Sequence, residues 1–380
     1  PNLLWACAKL SAADGLPELF RAAAAAVSAD ARRFEPRELV TMAWSFGTLR
    51  FDDQEFLNGV AAAAVSHAGT LTPRDLSNLC WSYAVLAANH SALLRMISQC
   101  AVDTMEAFLP QDLSNLIWAA AKLGLGERAL AAAVARSAVP KVTGFLPQHL
   151  SNLAWAFATI QVNHEELLRA VTQEALLKID DFEPQGLSNM AWALSSLDAS
   201  DGTLFSAMAE AAMRKPDVAP QCISNMLWAF ARCGISSTGW NETRTLQHLL
   251  RSAVKTSSSG MEAFKGQELS NLVWGAATLG LEDGHVFRAV AVEAADRLGE
   301  LKMPELANLA WGFAVAADPD DLGVLRTIAE ETARRLRGLD TGGAGAAASS
   351  PSEAATAINS IVWAVSFAGL LEDELLRLAR

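Results

Sequence analysis

Only one tyrosine stands among the 380 residues, and aromatic side chains make up 7% of them. Such a chain, skewed toward Ala and Leu, favours helices over sheets. Cysteine is nearly as scarce. Cys7, Cys80, Cys100, Cys222 and Cys233 form no Cys-x-x-Cys pair and share no common spacing. That excludes a disulfide framework and fits core thiols in a reducing compartment. The six histidines are scattered away from Cys and carboxylates, so no metal site is expected. No apolar run reaches the roughly 18 residues a membrane span needs, and the Ala-rich stretch 22–27 is too short, so no membrane segment is expected.

Positive charge is also in deficit, with 30 Lys and Arg against 42 Asp and Glu and a net charge of −12. A uniformly basic nucleic-acid surface is therefore excluded, although a local basic stripe on an acidic body is not. There is no phosphate loop, nucleophile elbow or paired-carboxylate constellation. The chain is thus expected not to be an enzyme, with no cofactor and no small-molecule substrate. Glu165-Glu166 and Glu330-Glu331 read as a solvated outer face, and His164 beside the first pair reads as a turn residue rather than a base.

What is present is a repeat. The phrase "LSNLIWAAAKLG" at 113–124 returns as "LSNLAWAFATI", "LSNMAWALSSL", "ISNMLWAFARCG" and "LSNLVWGAATLG". Its tryptophans, Trp5, Trp44, Trp81, Trp118, Trp155, Trp192, Trp228, Trp274, Trp311 and Trp363, are spaced by 39, 37, 37, 37, 37, 36, 46, 37 and 52 residues. Trp240 alone stands outside the series; it lies in a polar insertion, where packing over an edge is favoured over an exposed stacking role. A Pro eight residues before the Trp (Pro36, Pro73, Pro110, Pro147, Pro184, Pro220) suits a first helical turn, since its missing amide hydrogen would have no partner there. Gly124, Gly234, Gly280 and Gly369, six after the Trp, are suited to a left-handed stop. Segments such as "HEELLRAVTQEALLKI" then show the spacing of a second helix. The expected fold is all-α, an α-solenoid of about ten helix-turn-helix repeats with a 37-residue period, in which stacked hairpins share one core.

The expected organisation is one array over 1–380, interrupted at 338–353 by a loop too poor in apolar side chains to pack. The chain opens at Pro1-Asn2-Leu3-Leu4-Trp5 inside one copy of the phrase and stops inside a second helix, so both ends are expected to be cuts and a targeting segment cannot be judged.

On a wheel of about 100° per residue the positions five and two before the Trp and two and five after it form one apolar arc, Leu113, Leu116, Ala120 and Leu123 in the fourth repeat. The opposite side is polar. Seven before, three before and four after the Trp, successive repeats read Arg37-Thr41-Thr48, Arg74-Asn78-Val85, Gln111-Asn115-Lys122, Gln148-Asn152-Thr159, Gln185-Asn189-Ser196, Gln221-Asn225-Arg232 and Gln267-Asn271-Thr278, and Lys9 holds the last of these places in the first repeat. Small residues one after the Trp, from Ser45 and Ser82 to Gly275 and Gly312, mark where the next first helix approaches.

Because an identical residue in every repeat cannot read a varying sequence, the Asn and Trp are read first as scaffolding. The Asn would form a buried amide ladder, and the Trp a wedge between hairpins. Function falls on positions that change, four after the Trp (Lys9, Lys122, Thr159, Ser196, Arg232, Thr278 among others) and six before it (Glu38, Asp75, Asp112, His149, Gly186, Cys222, Glu268, Glu305, Ala357). A groove with constant and variable places in each unit suits a base-by-base reader of single-stranded RNA. It equally suits a peptide-binding scaffold. Lys9, Arg37, Arg74, Lys122 and Arg232 facing one channel would favour RNA, whereas Glu38, Asp75, Asp112, Glu268 and Glu305 lining it would favour a basic protein.

The motif "SNLAWAFA" followed by Leu or Ile, repeated as degenerate hairpins over essentially the whole chain, resembles the octotricopeptide repeat proteins of green algae. It equally resembles the 37-residue heptatricopeptide repeats of apicomplexan and dinoflagellate organelle proteins. The resemblance implies an RNA-binding factor of chloroplast or mitochondrion, acting in transcript stability, processing, translation or ribosomal RNA assembly. It makes the variable positions of the first helix the candidate base readers.

Overall fold

A computed structural model describes residues 1–10, 16–126, 128–215, 218–234, 240–255, 260–316, 322–340, 351–371 and 373–378. Among them there are twenty α-helices and no strand, numbered here along the chain. The odd-numbered helices each hold one periodic Trp: α1 (Asn2–Leu10), α3 (Pro36–Leu49), α5 (Pro73–Val85), α7 (Pro110–Lys122), α9 (Pro147–Thr159), α11 (Pro184–Ser196), α13 (Pro220–Arg232), α15 (Gly266–Thr278), α17 (Met303–Ala316) and α19 (Pro351–Phe367). The even-numbered helices answer them: α2 (Leu16–Ala29), α4 (Gln54–Ser66), α6 (Ser91–Thr104), α8 (Arg128–Ala138), α10 (Glu165–Leu177), α12 (Gly202–Met213), α14 (Trp240–Lys255), α16 (Gly284–Arg297), α18 (Leu322–Asp340) and α20 (Asp373–Leu378). Hairpins stack in series, an α-solenoid of repeats, within two compact units, Pro1–Lys178 and Ile179–Arg380. Helices α18 and α19 take in both ends of the expected 338–353 loop; the segment 341–350 between them lies outside the described residues, as does the side chain of Trp240.

The repeat phrase explains most of the odd helices from end to end. Pro occupies the first turn, and the residue six before the Trp is the third helical position. There its side chain folds back to accept the amide hydrogen of the capping residue: Glu38 from Glu35 at 3.0 Å, Asp75 from Thr72 at 2.9 Å, Asp112 from Leu109 at 3.2 Å, Glu268 from Lys265 at 2.9 Å and Glu305 from Lys302 at 2.8 Å. This corrects the expectation that the position is a variable reader of ligand. It closes a capping box, and Asp112 and Glu268 are only 7% and 9% exposed.

At the other end Gly124, Gly234, Gly280 and Gly369 all have φ between 60° and 72°. The same place in other repeats is held in the same left-handed conformation by Arg50, Ala87, Gln161 and Asp198, with φ of 52° to 55°. Apart from Gly234, whose next residue lies outside the described ones, the two amides that follow the last turn reach back to its free carbonyls, as Gly124 to Ala121 at 3.1 Å and Leu125 to Ala120 at 2.8 Å.

Odd helices lie closer to one another than even helices do, because the seam between them is lined by small residues. Ser114, Ser151, Ser188, Ser224 and Ser270 are buried, their hydroxyls donated to the carbonyls of Gln111, Gln148, Gln185, Gln221 and Gln267 at 3.0–3.1 Å. A Cβ built on Gly275 would stand 2.9 Å from the carbonyl carbon of Leu227, and one on Gly312 would meet Val273. The apolar arc is buried as its spacing requires: Leu113, Leu116 and Ala120 are inaccessible. Tyr83 donates its hydroxyl to the carbonyl of Leu57 at 2.6 Å, which satisfies the chain's single phenol in the core. Cys80 is buried among apolar groups that push its thiol pKa up to about 12.

A second periodic device joins the hairpins. Lys141 donates to the carbonyls of Glu106 and Phe108 at 2.9 and 3.0 Å, Lys178 to those of Thr143 and Phe145 at 2.8 Å each, and Lys215 to that of Asp180 at 2.9 Å. Arg297 and Arg335 do the same toward Phe264 and Leu301. Each ties the end of an even helix to the turn of the preceding repeat. His90 and His164 cap α6 and α10 by accepting the amide hydrogens of Leu93 and Leu167, so His164 is a turn residue as its place suggested.

Candidate nucleic-acid interface

The polar stripe of the odd helices is a row of groups with unused hydrogen-bonding capacity. Within the first unit, Trp44 and Trp81 have ring centroids 6.3 Å apart and 26° between planes, and Trp118 and Trp155 are 6.3 Å apart at 39°. Within the second, Trp228–Trp274 and Trp274–Trp311 stand at 6.4 and 6.1 Å. All of these rings are half-buried. Among the described residues the indole N–H groups of Trp44, Trp81, Trp118, Trp228, Trp274 and Trp311 have no acceptor.

The Asn residues correct the expectation of an amide ladder. Asn78, Asn115, Asn152, Asn189, Asn225, Asn271 and Asn308 are half-buried, and among the described residues their amides bond to no protein group. None is among the buried unsatisfied atoms, where among the described residues only Ser195 Oγ is found, so these amides reach solvent. Backbone groups of the neighbouring repeat are already paired within their own helices, which leaves an amide ladder nothing to satisfy. Gln111, Gln148, Gln185, Gln221 and Gln267 are exposed one turn earlier, equally unpaired in their side chains.

The variable position four after the Trp divides by chemistry. Lys9 lies 5.3 Å from the ring centroid of Trp44, Lys122 4.9 Å from that of Trp118, and Arg232 5.7 Å from that of Trp228. Thr48, Thr159 and Thr278 return their hydroxyl hydrogens to the carbonyls of Trp44, Trp155 and Trp274 at 2.7–2.9 Å, which spends the donor inside the helix. Ser196 makes no such bond. Arg37 stands 3.7 Å from Asp75, and Arg232 stands 3.8 Å from Asp198 and donates to the carbonyl of Ser195. Arg74 is exposed, and among the described residues no carboxylate pairs with it.

The stripe therefore offers a half-buried indole with an unpaired amide three residues before it in seven repeats, and a second amide seven before it in five of them. Lys9, Arg37, Arg74 and Lys122 share the stripe of the first unit, while Gln185, Asn189, Ser196, Gln221, Asn225, Arg232, Asn271 and Thr278 share that of the second. The carboxylates that would have made it acidic are turned back into the caps. One cation lay outside the positions singled out in the sequence, Arg50, because its place six after the Trp is a glycine stop in four other repeats. It is exposed, and its charge is felt at Lys122, whose ammonium pKa is lowered by partial burial first and by Arg50 second.

No curated protein matches this chain. Among solved structures, a homology model of the full-length AP-3 complex in an intermediate open conformation is 13% identical, with 93% of this chain and 73% of that one covered and a TM-score of 0.29. A circular tandem repeat protein with novel repeat topology and enhanced subunit contact surfaces is 18% identical, with 100% and 91% covered and a TM-score of 0.23. The model of one protein family, described as RNA-editing substrate-binding complex 6 protein, matches residues 6–238, more than half of the chain and all but the start of the first unit. This helical-repeat chain belongs to the RNA-editing substrate-binding complex 6 protein family.

Proposed function

We propose that the chain is a single-stranded RNA-binding subunit of a protein complex, holding RNA along the Trp and Asn stripe of its odd helices and performing no chemistry itself. The observation that carries this reading is the row of unpaired Asn and Gln amides beside half-buried indoles. Amides can pair with base edges, and aromatic faces or edges with bases, without any net positive charge on the chain as a whole. The family description, which names RNA editing, a substrate and a complex, supports it independently. The resemblance of the repeat phrase to octotricopeptide repeats suggests transcripts or ribosomal RNA of a mitochondrion or chloroplast, and a role in their stability, processing or translation.

A peptide-binding scaffold using the same stripe is the second reading, favoured by the word complex in that description. It fits a basic partner poorly, since Glu38, Asp75, Asp112, Glu268 and Glu305 are occupied as caps.

The test is Lys122→Glu combined with Arg232→Glu in the full chain, measured by filter retention of single-stranded RNA at low salt. Loss of retention with an unchanged helical melt is the expected result. Retention equal to that of the unaltered chain would sink the stripe as the RNA surface.

A further inference from the structure

We infer that the cleft between α12 and α14 takes a carboxylate from an acidic segment of a partner protein. The inference stands apart from the RNA reading, because the cleft is built from even helices and the Trp and Asn stripe from odd ones. It is an open cleft of about 600 Å³, lined by Glu210, Met213 and Arg214 of α12 and by Arg244, His248 and Arg251 of α14. Met213 is half-buried, and the other five side chains are exposed. Arg244, His248 and Arg251 follow one another at four and three residues, which puts them on one face of α14.

Two of the three guanidiniums are anchored by acids of the neighbouring repeats. Arg214 donates to Asp180 at 2.5 Å, and Lys215 beside it donates to the carbonyl of the same residue. Arg251 donates from Nε to Asp283 at 2.7 Å, and Asp283 is itself fixed as the cap of α16. Among the described residues these bonds leave both terminal nitrogens of Arg251, and Nε and one terminal nitrogen of Arg214, without a protein acceptor. Arg244 has no carboxylate partner among them. That alone is ordinary, since Arg95 and Arg169 on α6 and α10 share it. What sets Arg244 apart is the cavity: one unpaired and two anchored guanidiniums line the same space, with Glu210 the one acid of the lining. Guanidinium forks match carboxylates at two points, and a cleft lined by cations concentrates anions. Arg214 and Arg251 already hold carboxylates, and Arg244 is the lining arginine left to take one. RNA fits this cleft less well. No Phe, Tyr or Trp lines it among the described residues, and the amide of Gln247 is spent on the carbonyl of Glu282 at 2.8 Å. A strand running through it would meet exposed Asp180 and Asp181 toward the preceding repeat and exposed Glu282 toward the following one. A single carboxylate with neutral neighbours meets no such row.

The experiment uses the full chain and a fluorescein-labelled peptide of alternating Glu and Gly, with binding followed by anisotropy at low salt. The methyl resonance of ¹³C-labelled Met213, assigned through Met213→Leu, reports whether the peptide sits in the cleft. Among the described residues the side chains of Arg244 and Glu210 make no bond, so changing them leaves the packing intact. Arg244→Gln should weaken the peptide about tenfold. Glu210→Gln removes the opposing charge and should tighten it about threefold. Arg95→Gln makes the same charge change on α6 and should leave affinity unaltered. Equal affinity in Arg244→Gln, binding without a shift of the Met213 methyl, or no binding by the unaltered chain would each overturn the site. Oligouridylate that moves the Met213 methyl and is weakened by Arg244→Gln would assign the cleft to RNA and overturn the acidic segment. The stripe is tested separately through Lys122 and Arg232, so the two readings fail independently.

Discussion

His149 shows how one substitution within a repeated phrase changes the chemistry of a cap. Where Asp75 and Asp112 close their boxes with a carboxylate, His149 accepts the amide hydrogen of Leu146 through Nδ1 at 3.3 Å, which requires the neutral ring. Its pKa is lowered by burial, against a smaller opposing pull from Asp112. The folded chain therefore holds this proton less well than the unfolded one. The stability it adds is complete above the ordinary histidine value near 6.5 and is lost as pH falls through the lowered folded value. In His149→Gln, whose amide oxygen can keep the cap, melting temperature should fall less steeply from pH 7 toward pH 5 than in the unaltered chain; parallel slopes would refute this. The left-handed stops make a second residue-scale case. Ala87 adopts φ 52° at the place where Gly124 has φ 72°. Ala87→Gly should raise stability by about 0.5–1 kcal/mol, and Gly124→Ala should lower it by about 1 kcal/mol, in denaturant titration. The four glycines were legible as stops from their spacing alone. Arg50, Ala87, Gln161 and Asp198 were not, because the conformation there is imposed by the bonds that close the helix end, not by the side chain.

Between elements, the governing constraint is how close two odd helices can come. Gly275 puts its Cα against the carbonyl of Leu227, where a Cβ would stand 2.9 Å from backbone carbon. Gly275→Ala should force α13 and α15 apart and cost about 1–3 kcal/mol, with m-value unchanged. The small-residue positions after each Trp announced this seam in the sequence, since their size alone is what packing at short range demands. The lysine staples did not announce themselves, although Lys141, Lys178 and Lys215 recur every 37 residues. A lysine near a helix end reads as surface charge, and only the fold brings the free carbonyls of the preceding turn under it. Lys178→Ala would strand the carbonyls of Thr143 and Phe145 and the nearly buried Glu174, to which Lys178 is bonded at 2.7 Å. The expected loss is about 2–3 kcal/mol. A calorimetric melt within error of the unaltered chain would show that water replaces the ammonium without cost. The capping boxes misled in the opposite direction. Six before the Trp the chemistry varies among Glu, Asp, His, Gly and Cys, as a reader of ligand would, yet Glu38, Asp75, Asp112, His149, Glu268 and Glu305 all serve to satisfy the amide of the capping residue.

At the scale of the whole molecule, a net charge of −12 and an RNA surface are compatible only if the few uncommitted cations lie together. In the first unit four of them do: Lys9, Arg50, Arg74 and Lys122 are exposed beside the stripe, and among the described residues none of them has a carboxylate partner, while Arg21, Arg95, Arg136 and Arg169 stand on even helices. In the second unit the stripe cation Arg232 stands 3.8 Å from Asp198, so less of its charge is free for phosphate. If three of these four stripe cations each neutralise a phosphate, the slope of log affinity against log salt is about −2. Raising salt from about 50 to 200 mM should then weaken oligouridylate binding roughly 20-fold. The same logic bears on sequence preference. Asn three before the Trp recurs at Asn78, Asn115, Asn152, Asn189, Asn225, Asn271 and Asn308, and Gln seven before it at Gln111, Gln148, Gln185, Gln221 and Gln267. Identical amides cannot distinguish successive bases. Thr159 and Thr278, at the position that does vary, have given their hydroxyl hydrogens to their own helices. Oligouridylate, oligoadenylate and mixed strands of equal length should therefore bind within about tenfold of one another, and a preference of a thousandfold for one sequence would require base readers that this stripe does not contain.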